Sequence, residues 1–192
     1  MSCIFAKPMS RVSLVRNVMH FSAPENTPIN PFQIVAGLEY VELLTGGGVW
    51  FEVDGVERQF TAGTVFWHQE GDYTIHRSLP DMPYQCMCFN FQVEAGKNRP
   101  VPHVVCWQDA AEAMAFCWES FRLFMSGRIE RGILTEMIYG RLLWECLSRQ
   151  GGSGPGPNDM PPALTQAMVF AEKHKDEDFG VERLASEDGV SV

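Results

Sequence analysis

The sequence has no long apolar run and few basic residues, and each shortage excludes a class of protein. No stretch reaches the roughly twenty apolar residues that a membrane-spanning helix needs, and the N-terminal segment lacks the apolar core of a signal peptide. The chain has 15 basic and 24 acidic residues, a formal net charge of −9. Because surfaces that bind nucleic acid are normally basic, we do not expect this chain alone to hold DNA strongly. We expect a soluble, cytoplasmic protein.

Motifs for metals and catalysis are also missing. The six cysteines form no C-x-x-C pair, and no Cys/His cluster has the spacing of a zinc site. Most of these cysteines lie among apolar residues, which is typical of reduced thiols in a core. There is no nucleophile elbow, P-loop or dinucleotide-binding fingerprint. We therefore expect no cofactor and no catalytic residue.

Residues 1–106 contain a series of short strand patterns. Strands are predicted over 38–44, 49–53, 56–60, 62–78 (two strands broken near Glu70-Gly71) and 84–93. Asp54-Gly55 between two of them is a strong hairpin signal. Many short antiparallel strands at this spacing favour a barrel or a sandwich.

Residues 107–150 are predicted to form two helices. Asp109 and Glu112 resemble a capping box, and Gly127 is a helix terminator. One stripe of the first helix is predicted to contain Trp107, Ala111, Met114, Trp118, Phe121 and Met125. The second helix, from about Arg131 to Arg149, is apolar on more than one face and needs two partners. One partner could be the barrel, and the other the neighbouring helix or a second subunit. Packing of both helices on their own domain remains the alternative.

The remaining residues indicate the beginning of a second folded region. Residues 151–162 (GGSGPGPNDMPP) have the composition of a flexible linker. Two helices are then predicted, over 163–175 and 181–188. About thirty residues are too few for an independent core, so we expect them to be the start of a larger domain.

This last segment, ALTQAMVFAEKHKDEDFGVERLASEDGVS (163–191), resembles the start of the DNA-binding region of the AraC family of bacterial transcription regulators. The resemblance implies that Leu184 and Ala185 are core positions in the first helix of a helix-turn-helix. It also implies that Gly189 forms the turn and that Ser191 caps the recognition helix. We expect that helix to follow in a longer protein, so no DNA-contacting residue is assigned here. DNA would be bound only by the complete parent protein.

A second segment, VDGVERQFTAGTVFWHQEGDYTIH (53–76), is similar to the cupin-type strand pair of AraC-family sensor domains, through Asp54-Gly55, Gly63, Gly71 and His76. The implied fold is mainly β with C-terminal helices. A cupin-like double-stranded β-helix (jelly-roll) barrel (1–106) would precede an antiparallel helix pair (107–150) used for dimerisation. A linker (151–162) and a truncated helix-turn-helix (163–192) would follow.

The resemblance does not extend to the metal site of metal-dependent cupins. Metal-dependent cupins carry their ligands in two short motifs. No histidine occurs between Pro28 and Leu38, where the histidines of the first motif should lie, and Thr74 occupies the usual histidine position of the second. We therefore expect a metal-free pocket for a small molecule, because aromatic faces combined with a carboxylate and an imidazole suit a sugar or a small polar aromatic compound. The predicted ligand-binding residues are Glu39, Tyr40, Trp50, Trp67 and His76. Strand alternation places Trp67 and His68 on opposite faces, so at most one of them faces the pocket.

The function implied is the ligand-sensing and dimerisation part of an AraC-like transcription regulator, not an enzyme. The predicted dimer contacts are Leu134, Ile138, Leu142 and Leu147, and replacing Leu142 or Leu147 with Glu is expected to give monomers. One alternative is a small metal-dependent cupin enzyme, an isomerase or dioxygenase, with Glu39, His68 and His76 as ligands. Another is a structural dimerisation module whose pocket is filled by its own side chains.

Overall fold

The computed structural model describes residues 11–25, 28–107 and 109–148. The strands in these ranges are β1 (Val12–Ser22), β2 (Leu38–Gly46), β3 (Gly48–Val53), β4 (Val56–Thr61), β5 (Thr64–His68), β6 (Gln85–Val93) and β7 (Val104–Cys106), and the helices are α1 (Ala110–Ser126) and α2 (Arg131–Ser148). The chain divides into two compact units, Met1–Gln150 and Gly151–Val192. The predicted linker and helix-turn-helix segment, 151–192, lie outside the described residues.

The strands form two antiparallel sheets. The larger has the order β1-β6-β2-β5-β7, and the smaller is the β3-β4 hairpin. Asp54 and Gly55 close this hairpin with positive φ angles of 52° and 75°, which the right-handed twist of paired strands requires of a two-residue turn. The predicted hairpin and the predicted class, mainly β followed by two helices, are confirmed.

The two edge strands of the larger sheet, β1 and β7, are not recognisable from the sequence pattern. In β1 the buried residues Val12, Val15 and Val18 recur every third position, because the register shifts twice against β6. These bulges remove the period of two by which a strand is recognised. The other edge is β7, which has only three residues.

The predicted strand at 72–78 does not form. Residues 73 and 78 make only isolated bridges, Gln33↔Tyr73 and Val49↔Ser78. The Ile75 amide instead donates to a carboxylate oxygen of Glu42, 2.9 Å away. Because a side chain satisfies this backbone group, the segment needs no continuous ladder.

The helix ends agree with the sequence signals. The Asp109 side chain accepts hydrogen bonds from the amides of Ala111 and Glu112, and Gly127 ends α1 in the left-handed conformation. Arg141 in α2 pairs with Glu112 near the start of α1, and Arg131 lies 4.1 Å above the ring of Phe124 near its end. The two helices are therefore antiparallel. No helix within the described ranges is long and apolar enough to cross a membrane.

Both faces of the larger sheet are covered. One face packs against the helices, in a core that includes Val41, Leu43, Trp67, Phe89, Phe91, Cys117, Tyr139 and Leu142. The other packs against β3, β4 and loops, in a core that includes Tyr40, Leu44, Val49, Phe66, Ile75, Tyr84, Cys86 and Cys88. The amide of Val15, freed from the ladder beside a bulge, donates to the Thr135 hydroxyl at 2.8 Å and so fixes α2 against β1.

Candidate ligand-binding site

Alternation along β2 and β5 sends neighbouring polar side chains to opposite faces of the sheet. Val41 pairs with Trp67 on the helix-facing side, and Tyr40 pairs with His68 on the other. The expected separation of Trp67 from His68 is therefore observed. His68 lies on the face covered by the β3-β4 hairpin, which we call the hairpin face. The opposite one is the helix face.

On the helix face, the Glu39 carboxylate is fully buried and fully partnered. It accepts hydrogen bonds from the Tyr139 hydroxyl at 2.8 Å and the Trp67 indole at 3.0 Å, and it pairs with Arg11. Burial raises the pKa of Glu39, although these three partners oppose the shift. Burial beside this carboxylate also raises the pKa of Tyr139. Glu39 and Trp67 thus join β2, β5 and α2 to one another and to Arg11, the residue just before β1.

On the hairpin face, a second buried carboxylate belongs to Glu42. The Nε2–H of His68 donates to Glu42 Oε2 at 2.9 Å, and the Ile75 amide donates to the same oxygen. The Cys86 thiol lies 3.8 Å from the other oxygen and 3.5 Å from the Cys88 thiol. The hydrogen bond with Cys88 and burial raise the pKa of Cys86. The Cys86 thiol is accordingly a protonated neighbour of the carboxylate.

This second network continues outward from His68 to partly exposed residues. His103 Nε2 lies 3.0 Å from His68 Nδ1, and Asp72 Oδ2 lies 3.9 Å from the same nitrogen of His103. Asp72 also pairs with Arg99 at 3.0 Å. Burial, His68 and Arg99 together lower the pKa of His103 to about 4, against the influence of Asp72. His103 is therefore neutral at pH 7.

A cleft of about 260 Å³ opens next to His103. Its lining consists of Trp50, Phe51, Glu52, Glu57, Tyr73, Thr74, His76, Arg77 and His103. Trp50 is half-buried, with the Arg77 guanidinium 5.9 Å from its ring, and Tyr73 is exposed. Arg77 also forms an exposed ion pair with Glu57. The cleft thus combines aromatic rings with carboxylates, an imidazole and a guanidinium.

A larger cavity, of about 600 Å³, shares His76 and Arg77 with this cleft. Its other lining residues are Pro24, Glu25, Pro28, Ile29, Ser78, Leu79, Pro80, Asp81 and Pro83. None of these described lining residues is a Phe, Tyr or Trp. The smaller cleft is therefore the better match to the ligand expected from the sequence.

The five predicted ligand-binding residues occupy three places. Trp50 and His76 line the same cleft. Tyr40 is buried on the hairpin face, where its ring lies 5.1 Å from that of Phe32, and burial raises the pKa of its hydroxyl. Glu39 and Trp67 are buried on the helix face, with their polar atoms bonded to each other.

The residues predicted for a metal enzyme do not converge. Glu39 lies on the helix face, His68 lies buried on the hairpin face, and His76 is exposed. His68 instead lies beside His103 and Asp72, neither of which the sequence singled out. Alternation would have identified Glu42 as a same-face neighbour of Tyr40, but no local signal marks His103, which is 35 residues away from His68.

The predicted dimer contacts need correction. Leu134, Ile138 and Leu142 are at most 2% exposed, because this face of α2 packs in the core of its own domain. They are unavailable to a second subunit. Leu147, in contrast, is 48% exposed. It continues an exposed stripe along α2 formed by Ile133, Met137, Gly140 and Trp144.

Searches for similar proteins found structures but no sequence family. No family model and no curated protein matches the chain. ToxT from Vibrio cholerae with bound unsaturated fatty acid is 9% identical over 95% of this chain and 72% of that chain, with a TM-score of 0.47. ToxT from Vibrio cholerae O395 is 8% identical over 91% of this chain and 70% of that chain, with a TM-score of 0.44.

The AraC-like transcriptional activator CuxR is 13% identical over 82% of this chain and 58% of that chain, with a TM-score of 0.41. These TM-scores are all below 0.5. The function proposed below therefore rests on the sequence patterns and side-chain contacts of this chain.

Proposed function

We propose that this chain is the ligand-sensing and dimerisation part of an AraC-like transcription regulator and has no catalytic activity. The order of the sequence patterns supports the proposal: a cupin-like strand pair, two helices, a linker and the beginning of a helix-turn-helix. The antiparallel helix pair packed on a mainly β domain fits that order.

The observation that carries the sensing role is the cleft at Trp50 and His76. An aromatic face packs against the apolar face of a sugar ring, and carboxylates, imidazole and guanidinium exchange hydrogen bonds with its hydroxyls. Trp50 and Tyr73 supply such faces, and Glu52, His76 and Arg77 supply such polar groups. The effector class we propose is therefore a small sugar or sugar acid.

A binding screen tests this role. The 192-residue chain would be titrated with monosaccharides and sugar acids, with thermal unfolding and calorimetry as readouts. A ligand at hundred-fold excess over its Kd adds about 2.7 kcal/mol, which raises the Tm by roughly 5–10 °C for a chain of this size.

Variants then locate the bound ligand. Trp50→Leu and His76→Ala should each weaken binding by tenfold or more, whereas Trp118→Leu, which removes an exposed indole on α1 next to His20, should not change it. A ligand that binds all three variants equally would place the site elsewhere. Absence of any sugar hit would contradict the effector class.

The dimerisation role is assigned to the exposed stripe of α2, with a second copy of the chain as its partner. Ile133, Met137, Trp144 and Leu147 are 48–66% exposed and recur at helical spacing. A continuous apolar stripe of this kind marks an interaction surface, and a two-fold axis would let two copies cover it with the same residues.

Measuring the molecular mass of the protein in solution tests this dimer surface. The double variant Met137→Glu/Trp144→Glu should convert a dimer to a monomer in size-exclusion chromatography with light scattering. Val56→Glu, at an equally exposed apolar position on β4, should leave the dimer intact. Leu142→Glu should unfold the domain rather than give a folded monomer, because Leu142 is in the core. A wild-type chain that is monomeric at high concentration would overturn the assignment.

A further inference from the structure

Three metal-ligating side chains converge beside the cleft, from three separate segments. His68 comes from the end of β5, Asp72 from the turn that follows, and His103 from the residue just before β7. One ligand atom of each, an imidazole nitrogen or a carboxylate oxygen, lies within 4.8 Å of the other two. Neither Glu39 nor His76 takes part. The set also differs from the positions at which metal-dependent cupins place their ligands.

The surrounding contacts hold these ligand atoms in place. Glu42 accepts the Nε2–H of His68, which leaves the Nδ1 lone pair directed at His103. A carboxylate behind a ligating imidazole is the usual outer partner in metal sites, where it fixes the tautomer and the ring orientation. The carbonyl of His103 accepts the Trp67 amide at 2.8 Å, and this hydrogen bond ties its backbone to β5.

The site is accessible from solvent. Glu42 and His68 are buried, but the His103 and Asp72 side chains are 27% and 20% exposed, and His103 also lines the cleft. A metal ion held by these three groups would keep an open position toward the cleft for water. Two imidazoles and one carboxylate suit zinc or a similar transition metal and are a poor set for magnesium or calcium.

One neighbour opposes a cation. The Arg99 guanidinium lies 3.0 Å from Asp72 Oδ2 and must move, or share the carboxylate, when a metal binds. The Gln69 backbone amide also donates to this oxygen, at 2.7 Å, and must share it with the metal. The His68–His103 hydrogen bond must also be replaced by two metal–nitrogen bonds, and the proton on His103 Nε2 must move to Nδ1 of the same ring. These exchanges reduce the affinity without removing any ligand.

The geometry points to a site for one divalent transition-metal ion, of the zinc or cobalt class, bound by His68 Nδ1, Asp72 Oδ2 and His103 Nε2. This departs from the metal-free expectation drawn from the sequence. It goes beyond the proposed sensing function, because the metal site and the sugar cleft have separate readouts. If the metal site is not found, the sugar cleft can still be tested, and the reverse also holds.

The experiment uses the 192-residue chain, treated with chelator and then titrated with Co²⁺ and Zn²⁺. One equivalent of Co²⁺ should bind with visible absorption bands of a low-coordinate site, and Zn²⁺ should displace it. Asp72→Asn and His103→Gln should each weaken binding by at least tenfold. His76→Gln, which removes an exposed histidine of the same cleft outside the set, should leave the affinity unchanged.

Arg99→Gln provides the variant that misfolding cannot imitate. It removes the competing cation from Asp72, so it should bind Co²⁺ severalfold more tightly than the wild type. Three results would overturn the site: no binding by the wild type, binding unchanged in His103→Gln, or binding weakened in Arg99→Gln. A thiolate-to-cobalt charge-transfer band lost in Cys86→Ser would also overturn it, because the ion would then be held by the cysteines.

Discussion

The two faces of the larger sheet each bury a glutamate, and the two carboxylates end their hydrogen-bond networks differently. Glu39 is enclosed by Arg11, Trp67 and Tyr139, which join the elements on the helix face. Glu42 holds His68, from which contacts lead outward to His103 and the cleft. Burial alone therefore does not distinguish a structural carboxylate from one that supports a site. The difference is that the network of Glu42 reaches His103, which lines the cleft.

Removing Glu39 should have the largest effect on stability. Glu39→Ala leaves the indole of Trp67 and the hydroxyl of Tyr139 without their acceptor, and the Arg11 guanidinium without its charge partner. Loss of one member of such a buried set costs about 3–5 kcal/mol in free energy of unfolding, measurable by urea denaturation.

Tyr139→Phe is the matched control, since it removes one hydrogen bond and should cost about 1 kcal/mol. Neither variant that remains folded should change metal or sugar affinity. A folded Glu39→Ala chain with altered affinity for either would show that the two networks are coupled.

Removing Glu42 should lower the stability less than removing Glu39 does, but it should also weaken metal binding. Glu42→Ala leaves the Ile75 amide and the His68 Nε2–H without an acceptor, at a cost of about 2–3 kcal/mol. Loss of such an outer carboxylate also typically weakens metal binding about 10- to 100-fold, which the Co²⁺ titration would measure.

Glu42→Gln retains one acceptor oxygen for the Ile75 amide and should recover part of the stability. Equal Co²⁺ affinity in the wild type and Glu42→Ala would show that Glu42 does not support the metal site. It would also remove the contrast between the two faces.

The smallest effect should be a difference in pH dependence. Burial raises the pKa of Glu39 above its unfolded value, so the folded state retains a proton that the unfolded state loses as the pH rises. The contribution of Glu39 to stability is thus complete below pH 4.5 and falls as the pH rises through the folded pKa.

Glu39→Gln cannot titrate, so the Tm of the wild type relative to this variant should fall as the pH rises above the unfolded pKa of Glu39. Because the hydrogen bond of Tyr139 and the charge of Arg11 oppose the shift, the change should be small. A relative Tm that rises with pH would show that these partners outweigh burial.

The sequence predicts local features of this fold well. Asp109 begins α1 and Gly127 ends it, and Asp54-Gly55 forms the turn of the β3-β4 hairpin. These features are predictable because each signal depends only on neighbouring residues. Side-chain placement is harder. The predicted stripe of α1 contains Trp118 and Met125, which are exposed. The buried residues are the smaller Ala113, Cys117 and Ser120, which let the helix lie close to the sheet.

The candidate site could be predicted only in part. Almost every residue of β2 is buried, because both faces of the sheet are covered. Alternation could therefore separate Trp67 from His68 but could not show which side carries the cleft. The sequence therefore predicts Glu39 as a ligand contact, although it lies on the helix face. His103 reaches His68 only through the pairing of β5 with β7, a contact that no sequence spacing encodes.

The bulge in β1 provides an amide whose hydrogen exchange reports on the docking of α2. The Val15 amide is bonded to the Thr135 hydroxyl of α2 rather than to the neighbouring strand. Its hydrogen exchange is therefore slowed by the helix, whereas that of its ladder-bonded neighbours is slowed by the sheet. A single amide thus reports when the helix pair separates from the sheet, and it can reveal a partial opening in which every strand remains paired.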